Sequence, residues 1–191
     1  GLIDGATSWN SAVEPSFGAW NARMGRTQFT FTTATDAKGE TDNGRNELFF
    51  AKDVFGEEFG EGVLAVAYSR RTGLRGLRIT EADVLFNKEV QWKSYRGNMR
   101  TSIDIRRVAL HELGHVIGLD HPDEAVPAQS VQAIMNSRVS SVDQLRDDDI
   151  AGADFIYYSG IVQPTFVTQP LGTTLTEGTG AGVLSFEINR Q

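Results

Sequence analysis

All three histidines of this 191-residue chain fall within eleven residues: His111-Glu112-Leu113-Gly114-His115-Val116-Ile117-Gly118-Leu119-Asp120-His121. The pattern is H-E-x-x-H-x-x-G-x-x-H. Histidines at i and i+4 stand on one face of an α-helix, so His111 and His115 can point at a single ion. His121, six residues beyond His115, would lie roughly 9 Å further along a continued helix and on another face. Gly118 resolves this, because it can take the left-handed conformation that ends a helix and reverses the chain. Three imidazoles leave one tetrahedral position for water, the pattern of a catalytic zinc rather than a structural one. Glu112 need not ligate. It is placed to take a proton from the attacking water and deliver it to a leaving amine, while zinc polarises the carbonyl. H-E-x-x-H alone arises by chance often enough; the added glycine and third histidine make coincidence remote.

The elements around this stretch must hold it in place. Ile105, Val108, Ala109, Leu113, Val116 and Ile117 recur at helical spacing, predicting a mostly buried helix near 101–117. Thr101 or Ser102 can cap it, with Asp104 in its first turn. Trp9, Val13, Phe17, Trp20 and Met24 predict a helix over 8–24 whose start Pro15 is expected to delay. Strands are expected at 28–33, 47–51, 63–69 and 77–86. Residues 35–46 form a polar, Gly-rich loop with Asp36, Glu40, Asp42, Asn43 and Gly44. Its oxygens could hold calcium, but the EF-hand spacing is missing and a solvated turn is the plainer reading.

The zinc motif resembles that of the metzincins, a clan of zinc endopeptidases that also carries a methionine turn beneath the metal. Ala133-Ile134-Met135-Asn136-Ser137 matches that turn, with Met135 fourteen residues after His121. The resemblance makes Met135 an apolar floor under the ligands. Within the clan the chain is most similar to matrixins, particularly bacterial ones, over about residues 8–160. Leu145 to Tyr157 resembles the matrixin C-terminal helix with its Asp-Asp-Ile-x-Gly start. There Asp147 can cap the helix, and by resemblance Asp149 braces the methionine turn. Gly62 to Tyr68 resembles the strand at the upper rim of the cleft, so Leu64, Ala65 and Val66 are expected to bind substrate by β-augmentation. Glu81 to Trp92 resembles the next strand and loop, and Ala19-Trp20-Asn21 the first helix. The implied fold is α/β and metzincin-like. A twisted mixed β-sheet is backed by two helices, a zinc cleft follows, and a small C-terminal subdomain contributes one helix.

Four departures from the family matter. Animal matrixins place structural-zinc histidines on these two strands, where this chain has Val66 and Leu85 and no histidine to spare. Pro122 follows His121 where many matrixins have Ser. Residues 136–138 are Asn-Ser-Arg instead of the Pro-x-Tyr wall, so the pocket over about 136–146 cannot be carried over from the animal enzymes. The family also has a strand before its first helix, for which only residues 1–7 are available.

Composition sets bounds. The chain can bury a full core, has 40% apolar residues without a long apolar run, and carries a net charge of −7. These exclude a spanning helix and argue against a nucleic-acid surface. With no cysteine there is no disulfide and no cysteine switch. No signal peptide is visible at Gly1, and secretion is implied by the resemblance alone.

Residues 1–160 read as the catalytic domain, a monomer with one zinc. Residues 161–191 read as a linker or β-prone tail. Gln169 to Gly178 resembles the opening of immunoglobulin-like repeats, and a tail docked on the domain is the even alternative. The leading function is a secreted zinc endopeptidase acting on extended polypeptide. The alternatives are a non-catalytic zinc-bearing peptide-binding or adhesion module, and a zinc hydrolase of non-peptide amides.

Overall fold

A computed structural model describes residues 2–25, 27–34, 38–73 and 78–157, and the backbone of 183–190. Asp36 and the tail over 158–182 lie outside the described residues. The first element is helix α1, Trp9–Asn21. Its N-cap Ser8 accepts from the Ser11 N–H while the Ser11 hydroxyl accepts from the Ser8 N–H, a reciprocal cap. Pro15 lies inside this helix and does not delay its start, contrary to the sequence expectation. The burial of Trp9, Val13, Phe17 and Trp20 along one face outweighs the one hydrogen bond the proline forgoes.

The sheet contains β1 (Thr27–Ala34), β2 (Asn46–Ala51), β3 (Ala65–Thr72), β4 (Arg78–Asn87) and the late strand β7 (Val183–Arg190). Its order is β1-β7-β2-β4-β3. Only β2 and β4 run parallel; the other pairs are antiparallel. Residues 2–7 do not form the strand that the family places before its first helix. They meet the body through Leu2 and through the Ile3 N–H, which donates to the Ser94 carbonyl. The position between β1 and β2 is held by β7, so part of the tail belongs to the sheet.

Helix α2 spans Ile105–Val116, starting later than expected. Residues Ile103–Asp104 form the short strand β6, which pairs with β5 (Trp92–Lys93). Asp104, not Thr101 or Ser102, is the N-cap. Its carboxylate accepts from the Arg107 and Tyr95 N–H groups and from Arg96 at 2.5 Å, so chain pairing and one charged cap together fix the helix start. A 3-10 turn over Pro122–Glu124 and helix α3, Asp147–Tyr157, complete the described fold. Asp147 is the first residue of α3 and not its cap.

α1 and α2 pack on each other and on the sheet, and the core between them includes Trp20, Phe29, Leu48, Val84, Phe86, Leu113 and Val116. A smaller apolar cluster joins Phe49 and Leu85 to Val54, Phe55 and Phe59. Val66 is the cross-strand partner of Leu85.

Candidate metal centre

His111 and His115 lie on α2, and Gly118, just beyond its end, has φ +98°. The Gly118 N–H donates to the His115 carbonyl and the Leu119 N–H to the Gly114 carbonyl, closing the helix end. The reversal brings His121 back. The three Nε2 atoms stand 3.0, 3.0 and 3.2 Å apart.

Each Nδ1 faces an acceptor: the Ile134 carbonyl for His111, the Leu119 carbonyl for His115 and the Glu124 carboxylate for His121. Each Nδ1 therefore carries the proton, and each Nε2 presents a bare lone pair. Three lone pairs cannot hydrogen-bond one another; a cation among them resolves the repulsion. Tetrahedral Zn–N bonds of about 2.0–2.1 Å put their nitrogens roughly 3.3 Å apart. The observed spacing fits that ion. Burial pushes the His111 pKa down to about 4 and lowers that of His115, which keeps both imidazoles neutral as ligands must be. Among the described residues this is the only group of three or more His, Cys, Asp or Glu whose donor atoms gather closely enough for one metal.

Glu112 is 6% exposed. Burial raises its pKa to about 8, opposed only by the backbone N–H of Ala67 on β3. Met135 is 1% exposed, and its sulfur lies against Gly114 of α2. Asp149 accepts from the Ile134, Met135 and Arg146 N–H groups at 2.9, 3.1 and 2.7 Å, tying the methionine turn to the start of α3. Ala65 and Val66 open β3 and Leu64 immediately precedes it; among the described residues β3 is the last strand of the sheet and pairs with β4 alone.

Three features were not anticipated in the sequence. Gly114 is a notch: a Cβ there would meet the Met135 sulfur and come within 3.0 Å of its methyl and of Trp20. Asp123 receives both the N–H and the hydroxyl of Ser137, at 2.8 and 2.7 Å, joining the turn after His121 to the segment after Met135. Glu124, three residues beyond His121, is within the reach that local spacing could have suggested; the Asp123–Ser137 link had no such signal.

The polar loop is held differently from a calcium loop. Asp42 pairs with Arg70, and the Asn43 side chain binds the Glu40 carbonyl and the Arg45 N–H. The Gly44 N–H donates to Glu81. Behind the loop, Glu47 and Asp83 are both fully buried, and the Glu47 N–H donates to Asp83 Oδ1 at 3.0 Å. Glu47 Oε1 and Asp83 Oδ2 have no hydrogen-bond partner.

The fold and the imidazole cluster define a metal-binding protein of metzincin type. The matrixin family profile matches residues 5–158, and the chain belongs to that family. It is 32% identical to interstitial collagenase from Oryctolagus cuniculus over 155 residues, covering 78% of this chain and 28% of that one. It is 29% identical to macrophage metalloelastase of the same species over 156 residues, 76% and 28% of the two chains. Metalloendoproteinase 5-MMP of Arabidopsis thaliana is 35% identical over 100 residues, 50% of this chain and 25% of that one. The match thus spans little more than a quarter of the length of these relatives.

Proposed function

We propose that this chain is a secreted zinc endopeptidase that hydrolyses peptide bonds in extended polypeptides. The observation that carries the reading is the convergence of three bare Nε2 atoms beside one buried, non-ligating carboxylate. His111, His115 and His121 would hold the ion. Bound zinc would supply Lewis acidity, polarising the scissile carbonyl and activating water. Glu112 takes the proton of the attacking water and passes it to the leaving amine, so water adds across the C–N bond with no net change at the carboxylate. A pKa near 8 in its buried site suits traffic in both directions.

The rim supports the substrate class. The Ala67 N–H that meets Glu112 belongs to β3, whose far edge is free of a strand partner among the described residues. A substrate strand added along Leu64, Ala65 and Val66 would lie beside the base that acts on it. Met135 and Asp149 serve as floor and brace in this reading. Secretion rests on the family alone, and no helix among the described residues is long and apolar enough to cross a membrane. The matched span, 5–158, supports a catalytic domain over 1–160, and the pairing of β7 with β1 and β2 favours a tail over 161–191 that docks on it.

The test is proteolysis of unfolded casein and of a peptide library by zinc-loaded protein. Cleavage lost in Glu112→Ala with zinc retained supports the reading; cleavage that survives sinks the role of Glu112. Peptide binding without turnover in the unaltered protein would favour a binding module, and activity confined to small amides a different hydrolase. A calcium ion belongs to the proposal in second place. It is favoured by the partnerless buried oxygens of Glu47 and Asp83. A calcium-dependent rise in melting temperature, absent in Asp83→Asn, is the expected result.

A further inference from the structure

The three ligand histidines are not held by the same chemistry. His111 and His115 donate to main-chain carbonyls, neutral acceptors fixed by the fold. His121 donates to the carboxylate of Glu124, 2.7 Å away. A carboxylate acceptor makes an imidazole a better electron donor and fixes its ring more firmly than a neutral carbonyl does.

His121 also has the least help from secondary structure. It is the one ligand outside α2, placed past the positive-φ Gly118 on a segment without regular structure, and it opens the 3-10 turn as its N-cap. That turn presents Glu124 to it. The Glu124 N–H donates to the His121 carbonyl, and the Gln129 N–H closes on the Pro122 carbonyl at 2.9 Å. Asp123 points away to Ser137 and staples the turn to the methionine turn. The backbone from 121 to 124 is therefore fixed from both sides, and what remains free is rotation of the His121 ring.

We propose that Glu124 is the positioning residue that locks the His121 ring and sets how tightly the centre keeps its metal. The proposal rests on the reading of His121 as a ligand, but not on turnover. The competing account is an ordinary solvent-facing pair. The Glu124 side chain is 63% exposed, and exposed ion pairs are commonly worth little. The two accounts diverge in zinc affinity.

The experiment measures zinc binding to the full chain by competition with a chromophoric chelator. The proteins are the unaltered chain, Glu124→Ala, Glu124→Gln and, as a charge-matched control, Glu58→Ala on the exposed loop after β2. Loss of a histidine's outer partner weakens metal binding by about 10–100-fold. That loss is expected in Glu124→Ala, with a smaller one in Glu124→Gln, which keeps an acceptor but not the charge. Glu58→Ala should bind as the unaltered chain does. The melting temperature of the zinc-free protein should stay unchanged in Glu124→Ala, separating ring positioning from a general structural role. Zinc affinity in Glu124→Ala equal to that of the control overturns the proposal, as does an unaltered chain that binds no zinc. An unaltered chain that binds zinc in this Glu124-dependent way but cleaves nothing upholds the proposal while ending the endopeptidase reading.

Discussion

The imidazole cluster and the buried carboxylate pair Glu47 and Asp83 are assembled in opposite ways. The imidazole cluster is built within eleven residues by one helix, one glycine and one turn. The pair Glu47 and Asp83 comes from positions 36 apart, joined by the parallel pairing of β2 with β4. In the first group every Nδ1 has a partner and every Nε2 is left bare toward one point. In the second, the partnerless oxygens belong to carboxylates that burial itself makes hard to ionise. Among the described residues only the first group gathers three His, Cys, Asp or Glu donors within reach of one ion.

The largest effect expected is at the base beside the imidazoles. Glu112→Gln keeps the shape of the side chain and removes its ability to take a proton. General acid–base groups contribute on the order of 10²–10⁴-fold, so turnover should fall by about that factor with zinc content unchanged. Steady-state kinetics on a quenched peptide, with metal analysis of the same sample, measure both. Loss of zinc along with activity would show that Glu112 belongs to the metal site itself, and the contrast with the acidic pair would blur.

The second test separates two glycines of the motif. Gly114 lies in the helix without conformational strain but without room, its absent Cβ facing Met135 and Trp20. Gly118 has room, with nothing within 4 Å of a Cβ, but a φ of +98°. Gly114→Ala must displace the Met135 side chain, and overpacking of this kind costs about 1–3 kcal/mol. Gly118→Ala strains only the backbone, at about 1–2 kcal/mol, and the larger Gly118→Val should weaken zinc binding as well. Denaturant melts of zinc-free protein give the order. If Gly118→Ala proves the more damaging, the packing of Met135 into the helix notch matters less than its geometry implies.

These tests also mark what was legible. The ligand set could be read because helical periodicity and a glycine stop are local rules, and β1 could be placed because Phe29 and Phe31 alternate with polar neighbours. The start of α2 was misplaced, since Asp104 is made a cap by β5–β6 pairing and by Arg96, neither of which has a local signature. The Gly114 notch needed Met135, which lies 21 residues further along the chain. The pairing of Glu47 with Asp83 had no local signature, because the two carboxylates stand on different strands. Tertiary pairing alone makes neighbours of them.

The last effect belongs to that pair and depends on pH. Burial raises the Asp83 pKa to about 7; the Glu47 N–H bond opposes this, and the charges of Glu81, Glu47 and Asp42 add to it. A carboxyl whose folded pKa lies above its unfolded value of about 4 stabilises the fold while it stays protonated. Its contribution is complete below pH 4 and is lost as pH rises to about 7. Burial raises Glu47 in the same direction. Asp83→Asn keeps an acceptor for the Glu47 N–H and removes the ionisation. Its melting temperature should therefore fall less than that of the unaltered chain between pH 4 and 7, and the two curves should run parallel above that. Parallel curves throughout would mean that Asp83 is already matched by a partner in solution, and a calcium ion is the partner to look for. Added chelator would then restore the slope in the unaltered chain and leave Asp83→Asn unmoved.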